Sequence, residues 1–120
     1  MCLDTSKPVK GSPTRKAYKL FYPPEISGRK NIVKGNIQGR LYEIGKLYRD
    51  KKRKSQLTDY DLNKYPYGFH AYSTRSGARH CRYSDNEIYE VEIGNIHTKG
   101  EQDGVACIVG TTMKVIKKVR

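Results

Sequence analysis

Apolar and polar residues alternate with period two through much of the chain, the pattern of strands with two unlike faces. From Ala17 to Tyr22, residues Tyr18, Leu20 and Tyr22 share one face and Lys19 and Phe21 the other. Pro23-Pro24 ends this run because neither ring can donate to a ladder. Short apolar pieces follow at Ile32-Val33, Ile37 and Leu41 to Ile44, punctuated by Gly35 and Gly39. That spacing predicts a tightly turning sheet, with a bulge or bend at Gly45 before Leu47-Tyr48. Residues 55–64 are polar and read as a loop with a short helical turn after Thr58. Alternation resumes at Phe69 to Tyr72. Ser73 or Thr74 then stands where it can cap a short helix running to about Cys81, although Gly77 inside it costs ~1 kcal/mol relative to alanine.

The last third has the plainest pattern. Between Glu87 and Ile93, residues Tyr89, Val91 and Ile93 point one way and Ile88, Glu90 and Glu92 the other. A polar turn is expected around Lys99 to Gly104. Val105–Val109 and Met113–Ile116 then give one long strand or two short ones broken at Gly110. Sequential strands joined by short connections pair antiparallel. The fold class expected is therefore strand-rich α+β, mainly an antiparallel sheet with one or two short helices. Residues 1–15, with Pro8, Gly11 and Pro13 among lysines, read as a flexible or surface-draped basic arm ahead of one globular domain over 16–120.

Charge sharpens this picture. The 120 residues carry 24 Lys+Arg against 12 Asp+Glu, a formal net charge of +12. Self-repulsion at that load opposes folding, so an anionic partner explains the excess better than solubility does. Nucleic acid ranks first, an acidic protein surface second, and membrane lipid last because no amphipathic helix accompanies the charge. The balance is uneven along the chain: 15 basic and 4 acidic residues precede Ser55, whereas residues 85–103 hold 6 acidic and 1 basic. One basic face and one acidic flank follow, unless the fold interleaves them.

The densest basic run is Lys51, Lys52, Arg53 and Lys54, placed to follow a phosphate backbone with salt-sensitive contacts. Arg15, Lys16, Lys19, Arg29, Lys30 and Lys34 join it if they share its face. Tyr65, Tyr67 and Tyr72 are candidate stacking platforms for unpaired bases, worth ~1–3 kcal/mol per base, with core packing the competing role. The three cysteines, Cys2, Cys81 and Cys107, have no C-x-x-C spacing and His70, His80 and His97 form no close ligand pair, so no metal site or cofactor is expected. No run near Met1 has the form of a signal peptide and none approaches the ~20 apolar residues of a membrane span. Free thiols in a reducing cytoplasm are the expectation.

Two resemblances add to this. Leu41 to Tyr48, then Tyr67-Gly68-Phe69-His70-Ala71-Tyr72, then Tyr89-Glu90-Val91-Glu92 with Gly94, and finally Val105-Ala106 with Met113-Lys114-Val115-Ile116, resemble small bacteriophage and prophage proteins of unassigned function. Their pattern is Y-x-I-G-K-x-Y … G-F-H-A … Y-x-V-E, and it covers about the last two thirds of the chain. The resemblance implies a short helix after the glycine-phenylalanine-histidine. Gly94 follows the V-E strand one residue sooner than the pattern has it. Arg40, Ser73-Thr74 and Glu90-Val91-Glu92 also occur in the order in which some ADP-ribosyltransferases carry an arginine, a Ser-Thr-Ser and an E-x-E, although Arg75 replaces the last serine. Arg40 and Glu92 are the catalytic candidates on that view; His70, within the phage-type pattern, is a further catalytic or ligand-binding candidate because imidazole titrates near neutrality. For His70 the competing role is a hydrogen bond that pins the strand–helix corner.

The function expected is a phage-type accessory protein that binds nucleic acid or a nucleoprotein through its basic face without catalysis. A protein that docks on and inhibits a host complex is the second class, and a small ADP-ribosyltransferase-like enzyme the third.

Overall fold

The computed structural model describes residues 3–22, 31–35, 40–49, 56–66, 68–82 and 85–119. Its strands are β1 (Thr5–Ser12), β2 (Arg15–Tyr22), β3 (Ile32–Gly35), β4 (Leu41–Glu43), β5 (Leu47–Arg49), β6 (Gln56–Thr58), β7 (Lys64–Pro66), β8 (Phe69–Tyr72), β9 (Glu87–Gln102) and β10 (Val105–Lys118). The helix among the described residues is α1 (Arg75–Cys81). The class is α+β, dominated by an antiparallel sheet with one short helix.

The long β9–β10 hairpin is the spine. Its two-residue link, Asp103 (φ 53°) and Gly104 (φ 80°), has the double left-handed conformation that matches strand twist and that an Asp-Gly pair tolerates. β9 is flanked by β10 on one side and by β1 and β2 on the other, β1 along its C-terminal half and β2 along its N-terminal half. β10 pairs in turn with β8 and β5, and β8 reaches β2 through Tyr72 opposite Tyr18. The pairings β9–β10–β8–β2 thus return to β9. At Gly110 the register shifts, and an added Cβ there would collide with the Gly94 carbonyl oxygen and meet Ile93 Cγ2 at 2.6 Å. Glycine lets the two strands close on each other at this bend.

Buried side chains form two clusters. One cluster gathers Phe21, Val33, Tyr42, Phe69, Tyr89 and Met113, with Phe21 edge-on to Tyr42 (5.8 Å) and Tyr89 (5.7 Å). The other gathers Leu3, Leu20, Tyr65, Tyr72, Ile88 and Val109, with α1 contributing Ala78. The small apolar content suffices because tyrosine rings fill both clusters. α1 starts as its sequence predicts: Thr74 is the N-cap, its Oγ1 accepting from the Gly77 N–H at 3.0 Å.

Three sequence expectations are corrected. Within the flexible or surface-draped arm expected over residues 1–15, residues 5–12 form edge strand β1, held because Leu3 is buried in the second cluster and β9 supplies the ladder. Residues 56–66 are not a loop with a helical turn but a β6–β7 hairpin, with Asp59 organising its turn. β9 does not stop at Ile93; it runs on to Gln102, its ladder partner changing from β2 to β1. The bend expected at Gly45 is the turn at residues 44–46 joining β4 to β5.

Candidate polyanion-binding surface and the buried histidine

The acidic stretch of the sequence folds into the centre of the sheet, between basic neighbours. Lys16 and Lys114 both stand opposite Glu92 in register, and Lys117 stands opposite Glu90. Ion pairs join Lys16 to Glu90 (3.7 Å), Lys118 to Glu87 (3.7 Å) and Arg82 to Glu87 (3.9 Å). Here the fold interleaves the charges that the sequence keeps apart.

Where β1 meets β9 the pattern differs. Lys7 and Lys99 are directly opposite in register, and both are exposed. Directly opposed residues of an antiparallel pair share a face, so two lysines project from neighbouring positions on the same side. Glu101 is next on that face, yet among the described residues neither lysine forms an ion pair. Lys10 on β1 and Arg15 at the start of β2 are also exposed; Arg15 stands opposite Ile93, whereas Lys16 stands opposite Glu92 and is paired with Glu90. Sequence reasoning singled out Arg15 and Lys16 but passed over Lys7 and Lys99, because only the strand register brings residues 92 positions apart together.

Lys19 does not belong to this surface. It is half-buried, and its Nζ donates to the His70 carbonyl oxygen at 2.6 Å. Burial lowers its pKa from 10.5 to about 8. Tyr65 and Tyr72 are likewise core residues, not platforms for bases. Lys51, Lys52, Arg53, Lys54, Arg29, Lys30 and Tyr67 lie outside the described residues.

His70 is buried, and both its ring nitrogens are engaged. Nδ1 faces the Gly68 carbonyl oxygen at 3.1 Å and must carry the proton, so Nε2 accepts from the Tyr65 hydroxyl at 3.0 Å. That hydroxyl in turn accepts from the Leu3 N–H at 3.0 Å. Burial, with the nearby Lys19 charge, lowers the imidazole pKa to about 3. A neutral, fully bonded imidazole ties the N-terminus to the β7–β8 corner and has no free nitrogen for base catalysis.

The other catalytic candidates are dispersed. Arg40 lies over the rings of Tyr42 (5.2 Å) and Tyr48 (5.9 Å). Thr74 is the helix cap, and the Ser73 N–H bonds the carbonyl of Ala106, which stands opposite Glu101, nine residues along β9 from Glu92. A cleft of about 280 Å³ between β1, β7 and β9 is lined by Ser6, Pro8, Lys64, Tyr65 and Thr98, and neither His70 nor Glu92 lines it. Cys107 is buried, its thiol pushed up to about 12 by burial and then by Cys81. Among the described residues no group of three or more His, Cys, Asp or Glu could hold a metal ion, and no helix is long and apolar enough to cross a membrane.

No family model, curated protein or solved structure matches the chain. The resemblance to small phage proteins stands on its motifs alone.

Proposed function

We propose that this protein binds nucleic acid without catalysis, through a cationic surface centred on the β1–β9 pair. The observation that carries the proposal is the exposed Lys7–Lys99 pair. Like charges directly opposite on a sheet cost stability, and a bridging phosphate turns that cost into affinity. The charge excess supports it, since 12 cations would lack a carboxylate even if every Asp and Glu were paired one to one. A phage-type accessory role and a cytoplasmic setting belong to the same proposal and draw on the motif pattern and the free thiols.

The test is Lys7→Gln. Removing one of two repelling charges is expected to stabilise the free protein by ~0.2–1 kcal/mol. The same change should weaken binding of a fluorescent single-stranded oligonucleotide of about 20 nucleotides several-fold, read by anisotropy. A variant that is less stable, or that binds as well as the parent, would refute the role given to this pair.

A further inference from the structure

Among the described residues four large hydrophobic side chains are exposed, and they fall in two short stretches of the chain. Tyr60 (84%) and Leu62 (80%) occupy the β6–β7 turn, while Leu41 (49%) and Leu47 (52%) lie in the strands joined by the turn at residues 44–46.

The first group is held in place before any partner arrives. Asp59 accepts from the Asn63 N–H (2.8 Å) and from Ser6 Oγ (2.7 Å), and the Tyr60 N–H donates to the Asp4 carbonyl oxygen (3.1 Å). Burial works against the Asp59 charge, but the bonds from Ser6 and Asn63 outweigh it and hold the carboxyl below its ordinary value. Leu62 sits at φ 65°, a conformation normally left to glycine or asparagine, and it holds its side chain in water. Strain of this kind is kept where the surrounding structure over-determines it.

The two groups carry opposite charge. Asp61 lies between Tyr60 and Leu62, and Asp4 and Asp103 close the same end, the Asp103 N–H donating to Asp4 Oδ2 at 2.8 Å. Lys7, Lys64 and Lys99 stand further back along β1, β7 and β9. At the second group, Leu41 is opposite Lys34 and Leu47 opposite Lys114. Arg40 and Lys46 cover the Tyr48 ring at 5.9 and 5.5 Å. Among the described residues the carboxylates here are Glu43, to which Asn31 Nδ2 donates at 3.5 Å, and Glu92, which stands opposite Lys114; they face the four cations Lys34, Arg40, Lys46 and Lys114. Asp103 is at the tip of the β9–β10 hairpin, whereas Lys114 is roughly 30 Å further along the strand. The two surfaces therefore cannot meet within one molecule.

We propose that the acidic Tyr60–Leu62 turn of one molecule docks on the basic Leu41–Leu47 corner of a second copy, head to tail. Each contact leaves one turn and one corner free, so the assembly grows into a filament or closes as a ring rather than stopping at a pair. This goes beyond nucleic-acid binding and is tested in its absence.

The experiment is sedimentation velocity on the nuclease-treated full chain. At about 150 mM salt, long-range repulsion between the cationic molecules is screened while contacts survive. Wild type is expected to pass beyond a dimer as its concentration rises from about 1 µM to 1 mM. Leu62→Asn and Leu47→Ser alter exposed side chains, and each is expected to weaken association at least about tenfold. An equimolar mixture of the two should associate again and stop at a 1:1 dimer, because its only free surfaces are the altered ones. Wild type that stays monomeric or stops at a dimer overturns the proposal. So do variants that associate like wild type, and a mixture that stays monomeric or grows past the dimer.

Discussion

Replacing Tyr65 by Phe removes one oxygen from a buried chain of hydrogen bonds and leaves the ring in place. That oxygen accepts from the Leu3 N–H at 3.0 Å and donates to His70 Nε2 at 3.0 Å, so two buried groups lose their partner at once. Each unsatisfied buried group costs ~1–3 kcal/mol, and some relaxation is expected, so the loss should be roughly 2–4 kcal/mol. For a domain of this length an entropy of unfolding near 2.1 cal/mol/K per residue makes that a fall of about 8–16 °C in Tm. Urea unfolding followed by tyrosine fluorescence measures it, since the chain has no tryptophan. Tyr60→Phe is the control, as that residue is 84% exposed and its hydroxyl should contribute within about 0.5 kcal/mol. If Tyr65→Phe cost no more than Tyr60→Phe, the buried Leu3–Tyr65–His70 chain would be wrong.

The pH dependence follows from the same network. His70 titrates near 3 when folded and near 6.5 when unfolded, so the unfolded chain takes up the proton first and stability is lost as pH falls through that window. Equilibrium unfolding in His70→Gln should lose less stability between pH 6.5 and 4 than in wild type; an equal loss would show that other groups carry the acid limb. Lys19 titrates near 8 when folded and 10.5 when unfolded, so stability should rise between pH 8 and 9, by no more than about 1 kcal/mol. Above about pH 9 the raised Cys107 and Tyr72 groups oppose it, because the unfolded chain then sheds their protons first. Lys19→Met should abolish the rise between pH 8 and 9, and persistence of that rise would assign it elsewhere. At the helix start, Thr74→Ala should cost ~1 kcal/mol by urea titration and Thr74→Ser only a few tenths, and equal costs would mean that the Thr74 hydroxyl does not cap α1.

Local chemistry explains which parts of the structure could be read from the chain. The capped helix after Tyr72 and the alternation at Glu87–Ile93 are written in neighbouring residues, and both are present. The β1 strand is not, because Pro8 and its lysines have poor strand propensity and the strand forms only where β9 offers a partner and Leu3 a buried anchor. The β6–β7 hairpin was hidden because Asp59 looks like one more polar loop residue until Ser6 and Asn63 converge on it. Charge blocks are the clearest lesson. The acidic run 85–103 suggested a separate flank, but antiparallel pairing inserts it between β2 and β10, leaving Lys7 and Lys99 as the conspicuous unmatched pair. Side-chain exposure was equally illegible: Tyr65 and Tyr60 are the same residue type, one in the core and one at a turn tip.

The dependence of nucleic-acid affinity on salt tests the central claim most directly. If Lys7, Lys99, Lys10 and Arg15 each meet a phosphate of a single strand, a plot of log K against log salt should have a slope of about −3, and Lys7→Gln with Lys99→Gln should make it shallower by about 1.4. A slope that the double substitution leaves unchanged would contradict a phosphate-binding role for the β1–β9 lysines.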